Sequence, residues 1–240
     1  MSANPGKTKC ITFSRKKNNL ETDYFLDGNR VERCDTIKEL GVQIDASFDF
    51  GPHISHICAR ASRMLGLISR TSRHGLSANS SMILFKALVR QLLEYASVVW
   101  LPYLLGQINH LESVQRRFVR HLGCRAGFNF MDVPVEEISA AYGLQSLECR
   151  RRVADVAFLF KLLNNQISCP FLLVTINLHV PRSTRHQRLF ELDHASTSYL
   201  RFCPIPRLMR SGNEICSSVD LFASSLEAVR RVAAEERDAL

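Results

Sequence analysis

The 240-residue chain is 46% hydrophobic and carries a formal net charge of +8, enough apolar material to bury a core in one or two units. Its excess of Lys and Arg favours a polyanionic partner, because each neutralised phosphate releases condensed counterions. The polar N-terminus, MSANPGKTKC, has no signal-peptide core, and no run reaches the roughly 18 apolar residues of a membrane span, so a soluble protein of the nucleus or cytoplasm is expected.

In chain order, residues 1–50 read as a short β-rich unit. TKCITFS (8–14) alternates as a strand does, and Asp27-Gly28 lies between two strand-like runs as a hairpin turn. IKELGVQID (37–45) alternates as a third strand with Gly41 inside it, where a glycine marks a bulge or a close backbone approach. Residues 51–165 read as a helical domain. Over 54–68, Ile54, Ile57, Cys58, Ala61, Met64, Leu65 and Ile68 recur three and four apart and define an inward face. Arg60, Arg63, Arg70 and Arg73 fall on the other side. A second helix over 79–99 is apolar on most sides, with Lys86, Arg90, Glu94 and Ser97 as its polar stripe, and Leu101-Pro102 ends it. Trp100 reads as a core anchor. A third, over 107–122, turns Ile108, Leu111, Val114, Phe118 and Leu122 inward and Arg116, Arg117 and Arg120 outward. Helices near 134–142 and 146–164 follow, with Gly143 between them as a C-cap. Residues 166–240 read as an extension. Four prolines (170, 181, 204 and 206) make 166–216 an irregular arm, and a helical pattern returns over 217–236. The fold class expected is α+β: a short antiparallel β segment, a helical bundle and a partly irregular C-terminal arm.

Residues that could carry catalysis are sparse. The eight cysteines contain no CxxC pair, and His53, His56 and Cys58 lack the further ligand a zinc site needs. Two-metal nucleotidyl transfer needs clustered carboxylates, but no Asp-Asp dipeptide is present. Asp45 and Asp49 flank a strand end, and Glu136 and Glu137 point in different directions on a helix. No metal site and no cofactor is expected in this chain. The basic helices are the stronger lead: the Arg60/Arg63/Arg70/Arg73 face, the Arg116/Arg117/Arg120 face and Arg150-Arg151-Arg152 could each track a phosphate backbone.

Several strings, in order, resemble the reverse transcriptases of non-LTR, LINE-type retrotransposons, in particular the jockey-like branch. Asn4-Pro5-Gly6-Lys7-Thr8-Lys9 with Ile11-Thr12-Phe13 resembles the segment that follows the YADD strand of the palm. Leu40-Gly41-Val42-Gln43-Ile44-Asp45 is similar to the hairpin that supports the primer end. His53-Ile54-Ser55-His56-Ile57 and Arg63-Met64-Leu65-Gly66 resemble the first thumb helix. Tyr95 to Trp100, Pro102-Tyr103 and Leu111 to Phe118 are further family strings. Tyr142-Gly143-Leu144, Leu147-Glu148 and Arg150-Arg151-Arg152 continue the likeness, and Asn177, Val180-Pro181 and Asp220-Leu221-Phe222 extend it to the tail.

The resemblance implies roles. Lys7 would lie near the incoming nucleotide, Leu40, Gly41 and Val42 would form a primer grip, and the arginine faces would hold a template–primer duplex of RNA or DNA. It also implies that the fingers, most of the palm and the Mg²⁺-binding aspartates belong upstream of Met1, so that Mg²⁺ is expected only in the full-length enzyme. The chain then reads as a 5′-truncated copy, or a start placed at an internal methionine, without polymerase activity of its own. Its palm strands would expose an edge open to aggregation. Two other classes fit the same residues: a domesticated nucleic-acid-binding module using the basic helices, and an interaction protein whose open edge accepts a strand.

Overall fold

A computed structural model describes Asn4 and residues 8–15, 22–73, 75–179 and 188–235. Among these, the N-terminal region forms three two-stranded ribbons. β1 (Lys9–Cys10) pairs in parallel with β4 (Glu32–Arg33), so the β segment is not wholly antiparallel. β2 (Phe25–Leu26) and β3 (Asn29–Arg30) form the hairpin expected at Asp27-Gly28, whose φ values of 51° and 78° suit a tight primed turn. The single strand expected over 37–45 is instead folded in half, as β5 (Thr36–Glu39) and β6 (Val42–Asp45). Leu40 and Gly41, with φ of 45° and 89°, make the turn.

The chain leaves β6 through a loop held by one carboxylate. Asp45 accepts hydrogen bonds from Ser47 Oγ and from the backbone N–H groups of Ser47 (3.2 Å), Asp49 (3.2 Å) and Phe50 (2.8 Å). Burial pushes this carboxyl up, but the four hydrogen bonds outweigh it and leave its pKa below the usual aspartate value.

α1 (Gly51–Ser72) has Pro52 in its first turn and buries the expected face. α2 (Ala78–Leu84) is capped by Ser77, whose Oγ accepts from Ser80 N–H at 3.0 Å. The continuous helix expected over 79–99 is interrupted. A π-helical stretch (Phe85–Arg90) leads to α3 (Gln91–Glu94), Ala96 adopts φ 53°, and α4 (Ser97–Trp100) follows. The break lets Trp100 fold back, so that its buried indole N–H donates to Tyr95 O at 2.7 Å and no donor is left orphaned. α5 (Leu105–Arg125) runs beside α1. α6 (Val135–Ala141) ends at Gly143, φ 59°, where Leu144 N–H returns to Ser139 O at 2.8 Å.

α7 (Leu147–Leu163) begins in one core and ends in another. The first core packs β6 and α1 to α5, with Phe85 and Phe118 stacked 4.1 Å apart. The second packs α7 against α10 (Pro204–Ile215) and α11 (Leu226–Glu235), after the short helices α8 (Pro170–Val174) and α9 (Ser198–Phe202). The C-terminal region is therefore more ordered than expected. Pro204 and Pro206 occupy the first turn of α10, where a missing N–H costs nothing.

Within the second core, Gly212 is where α10 meets Phe190 and α7. A Cβ there would lie 2.5 Å from Phe190 Cε2 and 2.7 Å from Leu159 Cδ2. Gly212→Ala is expected to lose about 1–3 kcal/mol through overpacking, read as a lower urea midpoint with an unchanged m-value. Gly106→Ala, on open surface in α5, should lose nothing.

Candidate nucleic-acid interface

The β5–β6 tip lies against the first half of α1 and the end of α3. Leu40 is 82% exposed in a left-handed conformation unusual for a branched side chain, and its carbonyl accepts the Tyr95 hydroxyl at 2.9 Å. Val42, two residues on, is an anchor in the first core. Gly41 and Leu40 share with Tyr95, Gln91 and Arg60 the walls of a cavity of about 340 Å³. The tip therefore adjoins the first arginine of the α1 row.

Arg60, Arg63, Arg70 and Arg73 are all exposed, on the side of α1 away from the core. α1 and α5 run in the same direction. At one end Gln107 Nε2 donates to Asp49 Oδ1 (3.3 Å); at the other, Arg73 and Arg125 lie close enough to His121 to add to the burial that lowers its pKa. Arg116 and Arg117 are exposed on α5, while Arg120 is half-buried beneath Phe130, 5.4 Å from the ring centroid. Arg116 also donates to Asn109 O at 3.3 Å. Glu112 and Glu136 share a groove with Arg116 and Arg120, so the α5 face is less purely cationic than the α1 face.

Arg150, Arg151 and Arg152 do not form a phosphate track. Arg150 makes a two-pronged pair with Glu94, Nη2 to Oε2 at 2.9 Å. Arg151 is 1% exposed and lies 3.6 Å from Glu112, and Arg152 pairs with Glu214 at 3.2 Å. Burial lowers the pKa of Arg151, against the pull of Glu112, Glu148 and Glu94. Consecutive helical residues point about 100° apart, so three arginines in a row cannot share one face. Here they reach three different neighbours.

Lys7 lies outside the described residues, as do Val180 and Pro181. The acids do not suit a Mg²⁺ pair: Asp45 is taken up by its loop and Asp49 by Gln107. Among the described residues no three His, Cys, Asp or Glu side chains cluster as a metal site requires, and no helix is long and apolar enough to cross a membrane. His53 and Cys58 turn inward, and burial raises the Cys58 thiol to about 11.

His53 ties α1 to β6. Its Nδ1 accepts from Gln43 N–H at 3.2 Å, and its ring stands edge-on to Trp100, 5.2 Å between centroids. Burial, then the neighbouring His56, brings its pKa down from 6.5 to about 4. Below pH 6.5 the unfolded chain takes up a proton at this position that the folded chain refuses. The stability His53 contributes is thus complete above pH 6.5, and up to about 3 kcal/mol of it is lost as pH falls to 4. His53→Leu should flatten this part of the profile in urea melts between pH 7 and 4.5.

Three features of the site region have no expectation in the sequence behind them. The Tyr95–Leu40 hydrogen bond spans 55 residues, and a buried ion pair, Asp155 with Arg207, spans 52. Arg15 lies over the ring of Tyr199 at 3.8 Å and joins the N-terminal segment to the C-terminal one. The one local signal was Asp155 itself, an acid on the apolar side of the 146–164 pattern.

These features define a mainly helical α+β protein with a cationic face beside a hairpin tip. Compared with protein-family models, with curated proteins and with solved structures, the chain gives no match in any of the three.

Proposed function

We propose that the chain is the primer-grip and thumb portion of a reverse transcriptase of the non-LTR retrotransposon class, without catalytic capacity of its own, and that what it retains is sequence-independent binding of a nucleic-acid duplex. The ordered strings from Asn4 to Arg152 support the family reading. The observation that carries the binding reading is the adjacency of the Leu40-Gly41 tip to Arg60, at the head of an exposed row of four arginines. Such a row neutralises phosphates along one strand while the tip abuts its end. Phosphate contacts position a duplex and do not specify its sequence, so an RNA–DNA hybrid, RNA or DNA would all bind.

The test is fluorescence anisotropy with a 20-base-pair RNA–DNA hybrid at 50 and 200 mM salt. Seven phosphate interactions from the α1 and α5 arginine rows would give an affinity loss approaching about 10⁴-fold over that range. Absence of binding, or binding indifferent to salt, would overturn the proposal. Template-dependent primer extension by the purified chain with Mg²⁺ and deoxynucleotides would overturn the inactivity part alone.

A further inference from the structure

Two cavities adjoin between the cores, and the function proposed above uses neither. The larger, about 570 Å³, lies between α7, α10 and the segment after α4; the smaller, about 190 Å³, lies towards the loop before α1. Tyr103, Phe202 and Arg207 wall both. Tyr103 and Phe202 stack as a parallel pair, 5.4 Å between centroids and 1° between planes. The smaller compartment is completed by Phe48, Phe50 and Tyr199, so it presents several aromatic surfaces to whatever enters. Its one acid, Asp49, accepts from Gln107.

The larger compartment carries the charged side chains. It holds four arginines (151, 152, 207 and 210) against three carboxylates (Glu148, Asp155 and Glu214), one net positive charge. Arg207 is committed to the fold: it donates to Asp155, to Phe202 O and to Val98 O. Arg151 is not satisfied in the same way. Both its Nη atoms are buried without a hydrogen-bond acceptor, and its carboxylate neighbour Glu112, at 3.6 Å, is beyond hydrogen-bond length. Buried guanidinium nitrogens normally have acceptors; these are closed off from the cavity itself, so Arg151 contributes positive potential at its wall rather than a hydrogen bond. Arg210, half-buried, is held at the same cavity by a hydrogen bond from Nη2 to Arg201 O (3.0 Å) and by the Phe202 ring, 5.6 Å away.

We propose that the paired cavities are a binding site for a planar aromatic monoanion, its ring against the Tyr103–Phe202 stack and its charge on the arginine side. A concave site with an apolar compartment and a few converging polar groups is the usual form of a small-ligand pocket, and the single net charge favours one anionic group over several. Two sources share this chemistry: one base and its phosphodiester at the end of a nucleic-acid strand, or a free aromatic carboxylate.

The probe is 8-anilinonaphthalene-1-sulfonate, itself an aromatic monoanion. Trp100 is the one tryptophan and is flanked by Leu101, which lines both cavities, so energy transfer from it reports binding to the chain, and the variants below place the probe. One saturable site per chain is expected. Arg210→Gln should weaken the probe about tenfold, the loss of one charge-assisted hydrogen bond, without changing affinity for neutral N-phenyl-1-naphthylamine. Arg210→Lys should recover most of the loss, and Tyr103→Leu should weaken both probes.

Unchanged sulfonate affinity in an Arg210→Gln chain with normal circular dichroism overturns the proposal, as does unsaturable binding. If that variant fails to fold, the Tyr103→Leu comparison decides it in the same way. Displacement by dTpdT assigns the site to a nucleic-acid strand, displacement by indole-3-acetate to a free ligand, and displacement by neither overturns it. Charge reversal on α1, which tests duplex binding, leaves this site untouched, so the two proposals fail separately.

Discussion

Asp155→Ala is expected to cost about 3–5 kcal/mol, the range for breaking a buried ion pair by removing one partner. Asp155, on α7, and Arg207, on α10, have side chains only 2% and 7% exposed, and Arg207 Nε donates to Asp155 Oδ2 at 2.7 Å. The same guanidinium donates to Val98 O, on α4, at 2.5 Å and to Phe202 O, at the end of α9, at 3.2 Å. One side chain of α10 is thus bonded to the backbone of α4 and to the end of α9. Burial raises the Asp155 pKa and Arg207 opposes it, so the pair persists because each charge answers the other. Truncating the acid leaves a buried cation with an orphaned donor. Asp155→Asn keeps an acceptor and should lose about half as much, whereas Asp155→Leu with Arg207→Met removes both charges and should fall close to the parent. Urea denaturation measures all three. A loss below about 1 kcal/mol for Asp155→Ala would show that the pair contributes little beyond its volume.

Why this pair was invisible in the sequence, while the α1 arginines were not, follows from distance along the chain. An arginine opposite an apolar face with a period of three to four is exposed whenever the helix forms, so Arg60, Arg63 and Arg70 needed nothing beyond Ile54, Ile57, Ala61 and Leu65 to be placed. α5 was legible for the same reason. Arg150 to Arg152 form a charge run in sequence, but a run is not a charged surface when its helix is packed on several sides. α7 packs against other helices on several sides, and each arginine met a carboxylate from a different one. Over 37–45 the alternation of the two strands continues across the turn, so periodicity alone gives one strand, and the left-handed φ values of Leu40 and Gly41 make the reversal. α10 was hidden by its prolines, which break a helix interior but suit its first turn. Asp155 stands out as an acid on an apolar face, but nothing near it in the chain points to Arg207, 52 residues away.

Arg60→Glu/Arg63→Glu/Arg70→Glu is expected to weaken binding to the RNA–DNA hybrid by about 100-fold, taking about 1 kcal/mol for each phosphate interaction removed. The three residues share one stripe of α1, exposed and outside every ion pair found among the described residues, and the stripe ends beside the Leu40-Gly41 tip. Three fewer counterions released would also flatten the dependence of log affinity on log salt by about 2–3 units. The salt slope matters more than the loss in affinity, because a misfolded variant would lose affinity as well, whereas a partial change in slope requires a surface that still binds while neutralising fewer phosphates. Arg152→Gln provides the contrast: its guanidinium is turned to Glu214 inside the fold, so its salt slope should match the parent even if some stability is lost. An α1 variant with the parent's slope would place the duplex elsewhere on the molecule. An Arg152 variant with a reduced slope would mean that α7 opens to expose its arginines on binding.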